Sequence, residues 1–366
     1  MLAMQPTLVL SGETPRLFDE WQVLPSLWDE VRAEVDARGL KGQFLLTGSA
    51  VPADRSQIQH TGTGRFAWLK LRTMSSFESG DSRGEVGLRA LFEGSVGVAQ
   101  PCRTDIEAIA FLACRGGWPD VVERNDDASL EYVYQYVTAV AQNDVSRVDG
   151  IRRDPERVRA VLRSYARRLG TQATLSVIRS DLVNDTDETF SAKTLSTYID
   201  ALKSIFVLED MKAWNPNLRS KTAVRTSDTR YFTDPSIAAA ALGIGPKDLL
   251  SDLETFGFVF ENLCIRDLRV YADALHGSVY HYRDKSGLEC DAVVHRRDGS
   301  YGLVEIKLGG SEAIEHGAET LRDLRDKIDT TKMPGPSFLM VLTAVSDYVY
   351  RRRDGVWVVP VTCLGP

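Results

Sequence analysis

The 366-residue sequence predicts a mixed α/β chain built in three parts, and three observations carry that expectation. Near the start, an amphipathic helix pattern leads into a short apolar run ending in small polar residues, as a buried parallel strand does. From about residue 100 to residue 235 the apolar positions recur at helical spacing. Beyond about residue 250 a long helix pattern gives way to short alternating runs separated by turn residues. The expected parts are residues 1–98, 99–235 and 236–366.

In chain order, "PRLFDEWQ" is a short apolar approach to an acidic pair. "PSLWDEVRAEVDARG" places Leu27, Val31 and Val35 on one helical face and stops at Gly39. "GQFLLTGSA" and, after the glycine-rich "HTGTGRF", "RFAWLKLRTMS" both read as strands. "EYVYQYVTAVAQNDVSRVDG" and "DPERVRAVLRSYARRLG" are helical, the second opened by Asp154-Pro155. "TLSVIRSDLV", a polar loop and "SAKTLSTYIDALKSIFVLEDM" make helix, turn, helix, and "RSKTAVRTSDTRYFTDP" reads as a two-stranded wing. The helix "SDLETFGFVFENLCIRDLRVYADAL" then leads to the strands "SVYHYRD", "GLECDAVVHRR" and "SYGLVEIKLGG", with Asp298-Gly299 as a hairpin turn. A polar helix, the apolar strand "SFLMVLTAV" and a last pair around Asp354-Gly355 complete the chain.

Composition is ordinary for a water-soluble chain, at 43% hydrophobic and 26% charged residues. No run approaches the roughly 18 apolar residues of a membrane span, and the start lacks signal-peptide order, so a cytoplasmic protein without membrane contact is expected. The five cysteines are scattered and free of CxxC spacing, which favours isolated thiols over a disulfide framework or a zinc site. Net charge is −7, yet Arg147 to Arg230 holds about 16 Lys/Arg against about 11 Asp/Glu, a local excess of roughly +5. Any polyanion contact is therefore expected in the middle of the chain.

A P-loop nucleotide hydrolase needs a glycine loop with lysine to hold phosphates, and a strand-end acid for Mg²⁺ and water. Asp19-Glu20 after "RLF" fits the acid pair, with Asp19 binding Mg²⁺ through water and Glu20 polarising the attacking water. The same pair would serve equally as N-cap acids for a helix opening at Trp21. About 25 residues on, "FLLTGSA" supplies Thr47 and Ser49 at a second strand end, where a phosphate-sensing group would sit. "RLFDEWQVLPSLW", "FLLTGSA", "TGTGRF" and "MSSFESG" together closely resemble a bacterial and archaeal family of AAA-type ATPases with a C-terminal domain of unknown function, DUF4143. The resemblance implies a partial P-loop AAA-type α/β module, ATP and Mg²⁺ as cofactors, and Arg65 reaching a neighbour's nucleotide in a homo-oligomer. The departure is that no GxxxxGK[ST] occurs anywhere, and the residues before Asp19 are too few for the strand, loop and helix that would carry it. A truncated product, or one unable to hydrolyse ATP, is expected.

The middle part resembles a winged helix. In a DNA-reading version Ser191, Lys193, Thr194, Ser196 and Thr197 open the second helix and face the groove, while Arg219, Lys221, Arg225 and Arg230 flank it as phosphate contacts. In a packing adaptor, Leu195, Ile199, Leu202 and Phe206 form its core stripe instead. Both readings stand on the sequence.

In the last part, Asp291 with Glu305, Ile306 and Lys307 spells D-x13-E-x-K across a hairpin. This resembles the PD-(D/E)XK core of a restriction-endonuclease-like α/β domain, in which Glu261 takes the place of the preceding helix glutamate. Side chains alternate on a strand, so Glu305 and Lys307 share one face while Val304 and Ile306 bury the other. Two neighbouring carboxylates repel, and Mg²⁺ held by Asp291 and Glu305 relieves that repulsion while binding water and a phosphate oxygen; Lys307 orients the water. A Glu305–Lys307 salt bridge on an inactive scaffold fits the same residues, and Glu289, Arg283 and His281 lie nearby. Three functions follow: an ATP-binding AAA-type protein with a nuclease-like tail, a Mg²⁺-dependent nuclease, and a non-enzymatic DNA- or protein-binding module.

Overall fold

The computed structural model describes residues 6–50, 62–97, 104–124, 127–186, 190–215 and 227–366. The chain opens with helix α1 (Pro6–Leu10), strand β1 (Arg16–Phe18), helix α2 (Leu27–Arg38) and strand β2 (Phe44–Leu46). α2 ends where Gly39 adopts φ 66°, a left-handed cap that suits glycine. β1 and β2 pair in parallel, Arg16 opposite Phe44. Strand alternation turns Phe18, Phe44 and Leu46 toward a small core of Leu10, Trp21, Leu27, Trp28 and Val31. The other face leaves Leu17 57% and Leu45 58% exposed. The piece expected as a further strand, residues 65–75, joins no sheet among the described residues. Its Lys70 and Arg72 instead pair with Glu209 at 2.9 and 2.8 Å, leaving Trp68, Leu69 and Leu71 exposed.

The first core ends with Phe66, whereas Val86, Leu88 and Leu91 belong to the large core of the rest of the chain. Strand β3 (Val86–Gly87) pairs in parallel with β10 (Leu364–Gly365), next to helix α3 (Leu88–Glu93). The "MSSFESG" segment is threaded through a buried polar network. Asp234 accepts from Thr73 Oγ1 at 2.7 Å and from the Gly117 N–H at 3.0 Å. Arg266 lies between Asp234 and Asp267, at 3.1 and 2.8 Å, with Asp267 also accepting from the Ser76 N–H.

The helical middle comprises α4 (Ile106–Arg115), α5 (Asp127–Ala139), a π turn into α6 (Val145–Arg147), α7 (Pro155–Ala166), α8 (Leu175–Thr186) and α9 (Ala192–Ser204). Asp154 caps α7 by accepting from the Glu156 N–H, with Pro155 in the first turn. Antiparallel bridges Leu208–Phe232 and Met211–Thr229 pair the end of the segment expected as the second helix with the latter half of the expected wing, whose residues 219–226 lie outside the described residues. α10 (Pro235–Leu242) and α11 (Pro246–Ser251) follow, then the 22-residue α12 (Leu253–Ala274).

The last part is a mixed sheet of six strands, ordered β4-β5-β6-β7-β9-β8. Its strands are β4 (Gly277–Arg283), β5 (Glu289–Arg296), β6 (Tyr301–Lys307), β7 (Phe338–Thr343), β8 (Tyr350–Arg351) and β9 (Trp357–Pro360). β6, β7 and β9 run parallel, and α13 (Ser311–Lys327) links the first two. α12 covers one face, where Val304, Ile306, Met340 and Leu342 join the large core; α13 covers the other, over Leu303, Leu339 and Val341. Both expected tight turns are present, with Gly299 and Gly355 at φ 89°. The cysteines depart from the expectation at one position: Cys363 is disulfide-bonded, while Cys114, Cys264 and Cys290 are free and buried. No helix among the described residues is long and apolar enough to cross a membrane.

Candidate functional site

Strand alternation puts Glu305 and Lys307 on the α13 face of β6, as the E-x-K spacing predicts. Gly317 of α13 makes room for them: a Cβ there would meet Glu305 Cβ at 3.3 Å and Lys307 Cε at 3.6 Å. Asp291 arrives by a device the spacing did not reveal. In the β4–β5 ladder Tyr280 pairs with Val293 but Tyr282 pairs with Cys290, so β5 carries one extra residue at Asp291–Ala292. Such a bulge bends the strand and re-aims its side chain. On the β6 side the ladder runs as far as Ala292–Val304 and stops. The Asp291 carboxylate takes over from there, Oδ2 accepting the Ile306 N–H at 2.7 Å. The Asp291 N–H donates to Glu305 Oε1 at 3.3 Å.

Lys307 bridges the two acids, with Nζ 2.7 Å from Glu305 Oε2 and 3.2 Å from Asp291 Oδ2. Burial alone would lower the lysine pKa, but Asp291 and Glu305 override it and hold the ammonium charged. Glu305, 4% exposed, is raised by burial and by the Asp291 charge, against the pull of Lys307. Glu261 comes from α12, and its Oε1 accepts from the buried Tyr231 hydroxyl. Its carboxyl is held well above the usual range, by burial first and then by the Asp291 charge. Thr343, in parallel register with Lys307, has a buried hydroxyl without a hydrogen-bond partner among the described residues.

The raised Glu261 has a pH consequence. A carboxyl whose folded pKa exceeds its unfolded value favours the fold while protonated, and this contribution falls as pH rises above the ordinary carboxylate value. Glu261→Gln is therefore expected to reduce the drop in urea midpoint between about pH 5 and about pH 8. An undiminished drop would assign the pH dependence to other groups.

Among the described residues no group of three His, Cys, Asp or Glu side chains is spaced to hold a metal ion. Asp291 and Glu305 do stand close enough for one cationic group, the Lys307 ammonium, to bridge them. Asp291 Oδ1 takes no hydrogen bond among the described residues. That donor set fits a hard cation held by two carboxylates and water rather than one fully caged by protein. The other neighbours are occupied: Arg283 pairs with Glu289 at 2.9 Å, and buried His281 has its pKa lowered to about 4 by desolvation, so it is neutral.

At the other end of the chain, Asp19 and Glu20 follow β1 and Thr47 and Ser49 follow β2, so parallel pairing brings the four together. Thr47 Oγ1 donates to Asp19 Oδ1 at 2.6 Å, and Ser49 Oγ to Glu20 Oε2 at 2.9 Å. Glu20 occupies the N-cap position of the short turn at Trp21, with φ 53°, but its side chain makes no cap hydrogen bond. The capping alternative therefore does not describe it. Arg65 is not directed at this cluster; it pairs with Asp36 of α2 at 2.9 Å.

In the middle part Lys193 is exposed, in the first turn of α9. Ser191 is spent as the cap of that helix, accepting the Thr194 N–H at 3.0 Å. Arg230 is a correction: it is 9% exposed, paired with Asp210 at 2.6 Å and bonded to the Ala173 carbonyl, so it cannot present itself to a phosphate. Arg219, Lys221 and Arg225 lie outside the described residues. Leu195, Ile199 and Leu202 are buried as the packing stripe, whereas Phe206 is 36% exposed.

Tyr231 and Gly317 are the site residues that sequence reasoning missed. Their signals are a tyrosine far from the motif and a glycine inside a helix, and the second could have been noticed, since an interior helical glycine usually has a packing reason.

Two family models match the chain. Residues 106–248 match a domain of unknown function, DUF8612, and residues 256–364 match another, DUF4143. Curated relatives include uncharacterized proteins of Mycobacterium tuberculosis and Mycobacterium bovis, each 25% identical over 314 residues and 84% of this chain. The chain spans 62% of the length of those relatives. The second match thus covers the sheet, the acid pair and Lys307 within a C-terminal DUF4143 region.

Proposed function

We propose that the C-terminal domain is a nuclease-like unit that hydrolyses phosphodiesters with the help of a divalent cation at Asp291 and Glu305. The observation that carries this reading is the β5 bulge, which breaks the β5–β6 ladder to set a second carboxylate beside Glu305 and Lys307. A scaffold needing only a salt bridge would be complete with Glu305 and Lys307. When bound, Mg²⁺ would lower the repulsion between the acids and polarise a phosphate oxygen. The chain's own residues orient the rest: Lys307 holds both carboxylates and offers its remaining donor capacity to water or a phosphate oxygen. Exposed Lys193 would offer one phosphate contact to a DNA backbone. The test is nicking of supercoiled plasmid by the wild-type chain with Mg²⁺ and with EDTA; equal amounts of nicked product in both would remove the reading.

The Asp19–Thr47 contact favours a second reading for the N-terminal part, as the metal and sensor side of an AAA-type ATPase module. The sequence contains no GxxxxGK[ST] to cradle phosphates. Calorimetry with ATP–Mg²⁺ is accordingly expected to give no binding heat with this chain. Saturable heat would mean that Asp19, Glu20, Thr47 and Ser49 bind nucleotide unaided.

A further inference from the structure

A buried tyrosine outside the D-x13-E-x-K pattern carries an inference of its own. Tyr231 is 1% exposed. Its backbone is pinned on both sides, as the Arg230 N–H donates to the Thr171 carbonyl at 2.9 Å and the Gly170 N–H returns to the Arg230 carbonyl at 3.0 Å. Asn262 of α12 clamps the next residue in both directions, accepting from the Phe232 N–H at 3.1 Å and donating to the Phe232 carbonyl at 3.0 Å. Arg269 lies over the ring, 5.7 Å from its centroid. With the backbone so held, the ring has one place to go, and its hydroxyl meets Glu261 Oε1.

Packing alone does not call for that hydroxyl, because a phenylalanine would fill the same volume. A buried hydroxyl costs free energy unless it is hydrogen-bonded, and here its bond goes to an acid of the candidate site rather than to a backbone carbonyl. Gly170 closes the arrangement from the other side. It adopts φ +68°, and a Cβ there would lie 3.2 Å from Glu261 Oε1 and 2.8 Å from Phe258. Glu261 is thus held between the turn after α7 and the bridged segment carrying Tyr231, with Oε2 taking no hydrogen bond among the described residues.

We infer that Tyr231 is a positioning residue that fixes Glu261 so that it reaches, through water and not as a third direct ligand, a divalent cation held by Asp291 and Glu305. The inference rests on the cation-assisted reading of Asp291 and Glu305. It makes the acid site a joint product of the DUF8612-matching and DUF4143-matching parts, since the cover over Glu261 comes from residues 170–171 and 230–232.

The test is calorimetric titration of Mn²⁺ into the full chain without nucleic acid, the site being assigned by loss of heat in Asp291→Asn. Tyr231→Phe, which keeps the ring, is expected to weaken binding by about tenfold or more, as loss of a ligand's hydrogen-bond partner commonly does. Glu261→Gln should weaken it at least as much, and the double variant no further than Glu261→Gln alone, because both act through one carboxylate. Wild-type affinity in Tyr231→Phe would overturn the inference, even with a lowered melting temperature, as would independent multiplying effects of the two changes. Absence of Asp291-dependent heat in the wild type would overturn the acid-site reading and this inference together, a result distinct from the other two.

Discussion

Asp291→Asn is expected to lower Mg²⁺-dependent plasmid nicking by about 100-fold or more while leaving the fold intact, by analogy with the losses that follow removal of one charge-stabilising group. Asparagine is a cleaner substitution than alanine. Asp291 Oδ2 accepts the Ile306 N–H at 2.7 Å, standing in for the ladder that the bulge interrupts. Alanine would leave that N–H without its partner at a cost of about 1–3 kcal/mol. The asparagine carbonyl can still accept it, so lost activity could be separated from lost structure. The substitution also removes the charge that, after burial, raises Glu305 and Glu261. A variant that melts like the wild type and nicks at its rate would mean that Asp291 serves the strand edge alone.

Arg266→Met is expected to destabilise the chain by about 3–5 kcal/mol, read as a lower urea midpoint. Arg266 is 3% exposed, and Asp234 and Asp267 are fully buried. Removing the guanidinium leaves two carboxylates in the core without their cation, and Asp267 Oδ2 already lacks a partner among the described residues. The loss should also loosen the "MSSFESG" segment, since Thr73 and Ser76 bond to those same carboxylates. A change below about 1 kcal/mol, the range of an exposed pair, would show that the network contributes little to the fold.

Much of the C-terminal sheet was legible because its signals are local. Alternation, Asp298-Gly299 and Asp354-Gly355 mark strands and turns from neighbouring residues alone, and the E-x-K face follows from period two. The bulge was not legible, because it exists only as a mismatch between β5 and β4. Spacing put Asp291 beside Glu305 without showing that the strand had to deform to bring it there. The packing of residues 86–91 was not legible for a related reason. Val86 and Leu88 are close in sequence to the first part, but their partners, Leu364 among them, lie at the other end of the chain. "RFAWLKLR" has strand composition, yet its cations are taken by Glu209, more than 130 residues away. Arg230 illustrates the same limit: its charge can be read in sequence, but Asp210 at 2.6 Å decides what the charge does.

The N-terminal cluster was read more fully. Parallel pairing of two short strands is enough to bring Asp19 to Thr47 and Glu20 to Ser49. Its weakness is energetic: among the described residues, a core of five buried side chains carries a two-stranded sheet with leucines exposed on its far face. Small cores of this size supply little stability by themselves.

The most direct measurement is cleavage of a labelled DNA duplex by wild type and Asp291→Asn in parallel, across a Mg²⁺ titration. Cleavage that saturates with Mg²⁺ in the wild type and is lost in the variant is the predicted result. An inert wild type, or equal cleavage by both proteins, would contradict the account.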